Sequence, residues 1–169
     1  SGDREILEGA AVEGMLFHSA TLAGCLELSK IRVLGALQRS EKEHHLIHSE
    51  EESYTFDHPL IREILFEAII PELRREYHRL IGHFLSENRR GRPGEEAAIA
   101  WQLLEAGEEE AALPYLIEAG VRARKLYANT EALSLLDRAE TILSRMRDRA
   151  RAPTAAAPQP GETGPDLTA

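Results

Sequence analysis

Over residues 4–13 the apolar side chains fall at Ile6, Leu7, Ala10 and Ala11, the spacing of one helix face, and Gly14 can end that helix. A second short helix fits residues 18–26, with Leu22 and Leu26 on one side. Ser29 is placed to cap a third, in which Ile31, Leu34 and Leu37, or Val33 and Leu37, face inward. The period then changes. His45-Leu46-Ile47-His48 alternates weakly, Ser49-Glu50-Glu51-Glu52 is a polar turn, and Ser53-Tyr54-Thr55-Phe56 alternates and is rich in β-formers. This predicts a two-stranded hairpin with an acidic tip. A lone hairpin is marginal in water, so it must lean on the three helices before it.

Helical spacing resumes after the hairpin. Asp57 or His58 opens a helix with Pro59 at its first position, where a missing N–H costs nothing. Leu60, Ile61, Ile64 and Leu65 form its apolar stripe. Pro71 starts a longer helix carrying Leu73, Tyr77, Leu80, Ile81, Phe84 and Leu85. Arg89 to Gly94, with its Arg-Gly-Arg-Pro-Gly, is a break. Three helices follow, over about 95–105, 109–127 and 130–149. Ala119-Gly120 in the second lets a neighbour approach closely, and Ala132, Leu135, Leu136 and Ala139 line the third. After about Arg151 the chain is Pro, Ala, Gly and Thr with hardly any bulky apolar residue, a composition that cannot offset its own ordering entropy.

Composition narrows the class. Of 169 residues 43% are apolar but only 5% aromatic, so the core must be built of Leu, Ile and Ala, which favours helices. The single cysteine, Cys25, cannot form an internal disulfide and reads as a buried structural thiol. No apolar run approaches the length that crosses a bilayer, and Ser1-Gly2-Asp3-Arg4 lacks the zones of a signal peptide. Ser1-Gly2 reads as a cloning remnant, and the expectation is a piece of a larger cytoplasmic protein. The net charge of −9 suits a phosphate backbone poorly. Arg74, Arg75, Arg79, Arg89, Arg90 and Arg92 form the one basic cluster, with Glu72, Glu76 and Glu87 interleaved, and read as a solvated face laced with ion pairs.

Helix, helix, helix, β-wing, helix is the order of a winged-helix fold. The stretch Tyr54-Thr55-Phe56-Asp57-His58-Pro59-Leu60-Ile61-Arg62-Glu63, followed by Arg74-Arg75-Glu76-Tyr77-His78-Arg79-Leu80-Ile81, resembles a recurrent segment of STAND-type signalling ATPases. These include the large LuxR/MalT-type regulators and the ATPase modules attached to bacterial cyclases and kinases. Their pattern is an aromatic strand ending in Phe-x-His, a helix with Leu/Ile-x-Arg-Glu, and then Arg-x-x-x-His, which Arg74 and His78 fit. Ala106-Gly107-Glu108-Glu109-Glu110-Ala111-Ala112-Leu113-Pro114-Tyr115 and Glu131-Ala132-Leu133 are similar to the first tetratricopeptide-like hairpins that follow. Trp101 departs from relatives that often carry His there.

The resemblance implies a mainly α fold: a winged-helix domain over 1–70 with a small two-stranded β-wing, antiparallel tetratricopeptide-like helical hairpins over 71–150, and a disordered tail or linker over 151–169. It implies a non-catalytic regulatory module of a larger ATPase, in which the winged helix couples a nucleotide-binding domain of the same chain to a helical-repeat sensor for a protein or small ligand. His58 would then take the place of the histidine that contacts the bound diphosphate. ATP or ADP would belong to the parent protein. No Gly-x-x-x-x-Gly-Lys-Ser/Thr loop occurs here, so no cofactor is expected for this chain alone.

Other readings of the same residues carry less. His44, His45, His48 and His58 could meet through the hairpin, but no second ligand pair completes a zinc spacing. Ser19 beside His18, or Ser53, lacks a Gly-x-Ser-x-Gly elbow, so no enzyme is expected. Trp101 and Tyr115 read as core residues of the hairpins, and Glu108-Glu109-Glu110 as an acidic first turn. The alternative function is a winged-helix DNA-binding transcriptional regulator. Its recognition helix would start at Ser29 and carry Lys30, Arg32, Arg39 and Lys42. Glu41, Glu43 and the Glu50-Glu51-Glu52 tip oppose it by sign, and nucleic acid is not the expected partner.

Overall fold

The computed structural model describes residues 2–151. Among them the order is α1 (Gly2–Glu13), β1 (Leu16–His18), α2 (Ser19–Cys25), α3 (Lys30–Lys42), β2 (Ile47–Glu50), β3 (Ser53–Phe56), α4 (Pro59–Glu67), α5 (Pro71–Glu87), α6 (Glu95–Glu105), α7 (Glu109–Lys125) and α8 (Asn129–Arg151). The chain is mainly helical with one small antiparallel sheet. The tail or linker expected over 151–169 lies outside the described residues, apart from Arg151, the last residue of α8.

The sheet has three strands in the order β1-β3-β2, which corrects the two-stranded hairpin read from the sequence. The hairpin itself is present, with Glu50 opposite Ser53 and Ile47 opposite Phe56. The addition is β1, whose Phe17 lies opposite Tyr54. His18 therefore ends a strand, and the second helix starts one residue later than expected. A three-residue strand is too short to show a period. What fixes it is aromatic packing: the Phe17 ring sits 5.8 Å from Tyr54 and 5.1 Å from Phe56. Both outer edges of the sheet have an N–H taken by a carboxylate. Glu13 accepts from the His18 N–H at 3.2 Å, and Glu41 accepts from the Ser49 N–H and hydroxyl, each at 2.8 Å. Such blocking suppresses edge-to-edge pairing.

The first core gathers Ile6, Ala10, Phe17, Leu22, Val33, Leu37, Ile47 and Phe56 from α1, α2, α3 and the sheet. Of the two faces weighed for α3, the one with Val33 and Leu37 is inward. Ala36 and Ser40 on that face are small enough to let the helix approach its neighbours. Ile31, by contrast, is 84% exposed. Ser29 caps α3 as its position foretold, accepting from the Arg32 N–H at 3.4 Å.

Helix α5 joins this core to the rest. Its Tyr77 and Ile81 pack with Val12, Cys25 and Ile69, while its other side meets α6. Gly24 lets α2 and α5 touch, since a Cβ there would overlap the Phe84 ring. From α6 onward each helix packs on the one before it. Ala106-Gly107-Glu108 and Leu126-Tyr127-Ala128 make the two tight turns. In each, the residue after the helix cap has positive φ and the next N–H reaches back five residues, Glu108 to Leu103 O and Ala128 to Ala123 O. Ala119-Gly120 is the close-approach point that the sequence suggested: a Cβ at Gly120 would lie 2.7 Å from Leu136 Cγ.

Candidate functional site

The candidate site is the junction where β3 hands over to α4. Phe56 is buried and anchors the end of β3, its N–H bonded to Met15 O at 3.2 Å. Asp57 follows, its N–H bonded to Leu46 O at 3.0 Å. His58 then stands at the N-cap of α4 with extended backbone, φ −146° and ψ 138°, and Pro59 takes the first helical position. The imidazole caps the helix: the Leu60 N–H donates to His58 Nδ1 at 3.1 Å.

That bond fixes the tautomer. Nδ1 must carry its lone pair, so the proton of the neutral ring sits on Nε2. The side chain is exposed at the head of a helix, so Nε2–H is offered outward where helix N–H groups and the macrodipole favour an anion. The site thus supplies one donor to an acceptor such as a phosphate oxygen. His58 is exposed, not buried against the hairpin, which holds its neighbour Asp57 instead.

The hold on Asp57 comes from His48 on β2. His48 Nδ1 lies 2.6 Å from Asp57 Oδ1, and Nε2 lies 3.3 Å from Glu50 Oε1. The Asp57 bond, and then the Glu50 bond, push the His48 imidazole above its ordinary range. Ser49, the next residue, is tied to Glu41 of α3, whose carboxyl those bonds hold below its usual range. The β2-β3 hairpin is therefore braced to α3 on one side and to the head of α4 on the other. Nothing in the sequence reading singled out this clamp. Its signal was the pair His48 and Asp57 at the far ends of the hairpin, which the register carries to one edge.

Helix α4 is unusual in that none of its residues is buried. Of the predicted stripe, Ile61 and Leu65 lean on the first core, whereas Leu60 is 53% and Ile64 61% exposed, a correction to the inward reading of all four. Besides that contact the helix is held by its cap and by Arg62, whose Nε–H donates to Ala11 O at 2.9 Å. Arg74 stacks on Phe66 at 4.1 Å. Leu60 and Ile64, one turn apart, make an outward apolar stripe that starts beside His58.

Arg74 and His78, matched by spacing, have different surroundings from the solvated face expected for the arginine cluster. His78 is 2% exposed, with Nδ1 2.7 Å from Gln102 Oε1 and its ring edge-on to Trp101 at 5.1 Å. Burial pushes its imidazole below the usual range. Gln102 in turn donates to Val12 O and Glu13 O at the end of α1, both at 3.3 Å. Trp101 lies on the surface, not in the hairpin core, because Ile99, Ala100 and Leu103 occupy the inward face of α6. Arg79 pairs with Glu76 as the interleaved charges suggested, while Arg89 reaches across to Glu118 and Glu96.

The alternative readings gain little from the geometry. On α3, Arg39 is held by a bidentate pair with Asp3 (2.7 and 2.8 Å), and the outward side chains include Ile31 and Leu34. Among the described residues no group of three or more His, Cys, Asp and Glu side chains is arranged to hold a metal ion. Cys25 is buried, and burial pushes its thiol up to about 12, far from a nucleophile's range. No helix among the described residues is long and apolar enough to cross a membrane. Comparison of the chain with protein-family models, with curated proteins and with solved structures finds no match.

Proposed function

We propose that the chain is a non-catalytic regulatory module of a STAND-type signalling ATPase: a winged-helix unit that couples a nucleotide-binding domain to tetratricopeptide-like helical hairpins acting as a sensor. The observation that carries this reading is His58. It caps α4 through Nδ1, offers Nε2–H outward, and heads a helix whose outward stripe, Leu60 and Ile64, has no cover within the described residues. A nucleotide-binding domain seated on that stripe would bring its bound diphosphate within reach of the imidazole. One side chain and a helix end are all that this chain offers a nucleotide, so the affinity must come from the partner domain. In the sensor part, the open groove along Ile117 and Val121, rimmed by Glu96, Glu118, Arg122 and Lys125, is where a protein or small ligand would lie. The exposed Ile31 and Leu34 on α3 and the acidic wing tip weigh against the DNA-binding alternative.

The test is to attach the upstream nucleotide-binding domain and measure ADP retention with and without His58→Ala. Faster ADP release in the variant is expected. Equal retention would remove His58 from nucleotide sensing.

A further inference from the structure

The wing clamp suggests a second histidine with a role at this junction. His48 faces carboxylates on both nitrogens, Asp57 on Nδ1 and Glu50 on Nε2. Across the sheet its register partner is Thr55, which is uncharged, and the charged group facing it from α3 is Glu41. Only the imidazolium can donate to Asp57 and Glu50 together. The neutral ring has one N–H, so it must turn a lone pair on one of the two carboxylates. Asp57 is the residue immediately before the α4 cap, and its own N–H is fixed to Leu46 O. Whatever holds the Asp57 side chain also holds the backbone that places residue 58.

We propose that His48 is a positioning residue for His58: in its protonated form it braces Asp57 against the wing, so the seating of the α4 cap depends on pH. This rests on the reading of His58 as the nucleotide-sensing group. The direction follows from the geometry. Two acceptors favour the charged ring, so the brace is complete at and below the ordinary histidine value of about 6.5. It weakens as pH rises through the higher value set by Asp57 and Glu50. All three side chains are at least a third exposed, so the effect is a shift in local order and not in global stability. The consequence for the parent protein is that a rise in pH would loosen the histidine contact and with it the diphosphate-held state.

The experiment uses the whole chain and amide NMR. The Leu60 N–H reports on the cap, but its acceptor in the wild type is itself an imidazole nitrogen. His58→Asn removes that complication, since Asn is a good N-cap and does not titrate. In His58→Asn the Leu60 amide should still shift between about pH 5 and 8, with the same midpoint as the His48 ring. Adding His48→Gln, which keeps an N–H for Asp57 but cannot change charge, should flatten that profile. A flat Leu60 profile in His58→Asn, or one that persists with His48→Gln, overturns the proposal. No nucleotide and no second domain enter this measurement, so its failure removes only His48's role. Failure of the ADP measurement would remove the sensor reading and leave the brace intact.

Discussion

The polar link between α1, α5 and α6 permits a quantitative prediction. His78 and Gln102 are each 2% exposed, and the Gln102 side chain serves both directions: its oxygen accepts from His78 Nδ1–H and its nitrogen donates to the last carbonyls of α1. Gln102→Leu keeps the volume but strands the Nδ1–H in the core, which costs about 1–3 kcal/mol, and withdraws two long donors at about 0.5 kcal/mol each. The sum is about 2–4 kcal/mol. His78→Phe strands the Gln102 oxygen but also removes Nε2, which has no partner, so it should cost only about 1 kcal/mol. In the double variant neither buried group is stranded, and about 1 kcal/mol should remain for the α1 carbonyls. Urea unfolding near pH 7.5 measures all three. The doubly substituted protein should be more stable than Gln102→Leu alone, with a coupling of about 2–4 kcal/mol. Additive losses would refute the claim that the pair is a mutually satisfied buried unit. A pH series adds a sign check. Burial holds the folded His78 below its ordinary value, so the unfolded chain takes the proton first as pH falls. Wild type should therefore lose stability relative to His78→Phe below about pH 6.5.

Two further predictions concern single positions. Tyr127 sits at φ 59° after the α7 cap, a left-handed conformation that costs a residue with a Cβ about 1–2 kcal/mol, and its side chain is 88% exposed. Tyr127→Gly should thus raise the thermal midpoint by an amount equivalent to up to about 1 kcal/mol, glycine's extra chain entropy offsetting the rest; a lowered midpoint would show that the ring makes contacts that matter. Cys25 should be inert to a thiol-exchange reagent in the native chain and react fully in strong urea; rapid native labelling would mean that α2 opens away from α5.

The helices were legible because their punctuation was. Ser29, Pro59, Pro71 and Gly107 each stand at a position that only a helix end explains. The hairpin was legible from the change of period at Leu46. The third strand was not, because Leu16-Phe17-His18 follows a helix and precedes another with no room for alternation, and its existence depends on rings far along the chain. Which face of a short amphipathic helix is buried was also beyond the pattern. Aliphatic spacing on α3 and α4 fits more than one orientation, and the choice was made by small residues on α3 and by the Arg62 bond on α4. The sequence left the cap open between Asp57 and His58; that it is His58, and through Nδ1, which decides what Nε2 can do, is a matter of geometry alone.

On the proposed reading, magnitudes divide the labour at the α4 surface. Burying a Leu or Ile side chain is worth about 1.5–3 kcal/mol, and Leu60 and Ile64 have already gained about half of that. Covering the stripe would therefore add about 2–3 kcal/mol, roughly one to two orders of magnitude in affinity. That gain is the same whatever nucleotide the partner holds, so it cannot switch anything. A hydrogen bond from His58 Nε2–H to a charged phosphate oxygen is worth about 1.5–3 kcal/mol, a similar amount, but it exists only when the phosphate is in place. The stripe can thus supply attachment and the imidazole discrimination. A device in which the state-dependent term rivals the state-independent one needs the imidazole to be held accurately, which is the reason that a brace on Asp57 would be worth keeping on an otherwise solvent-exposed wing.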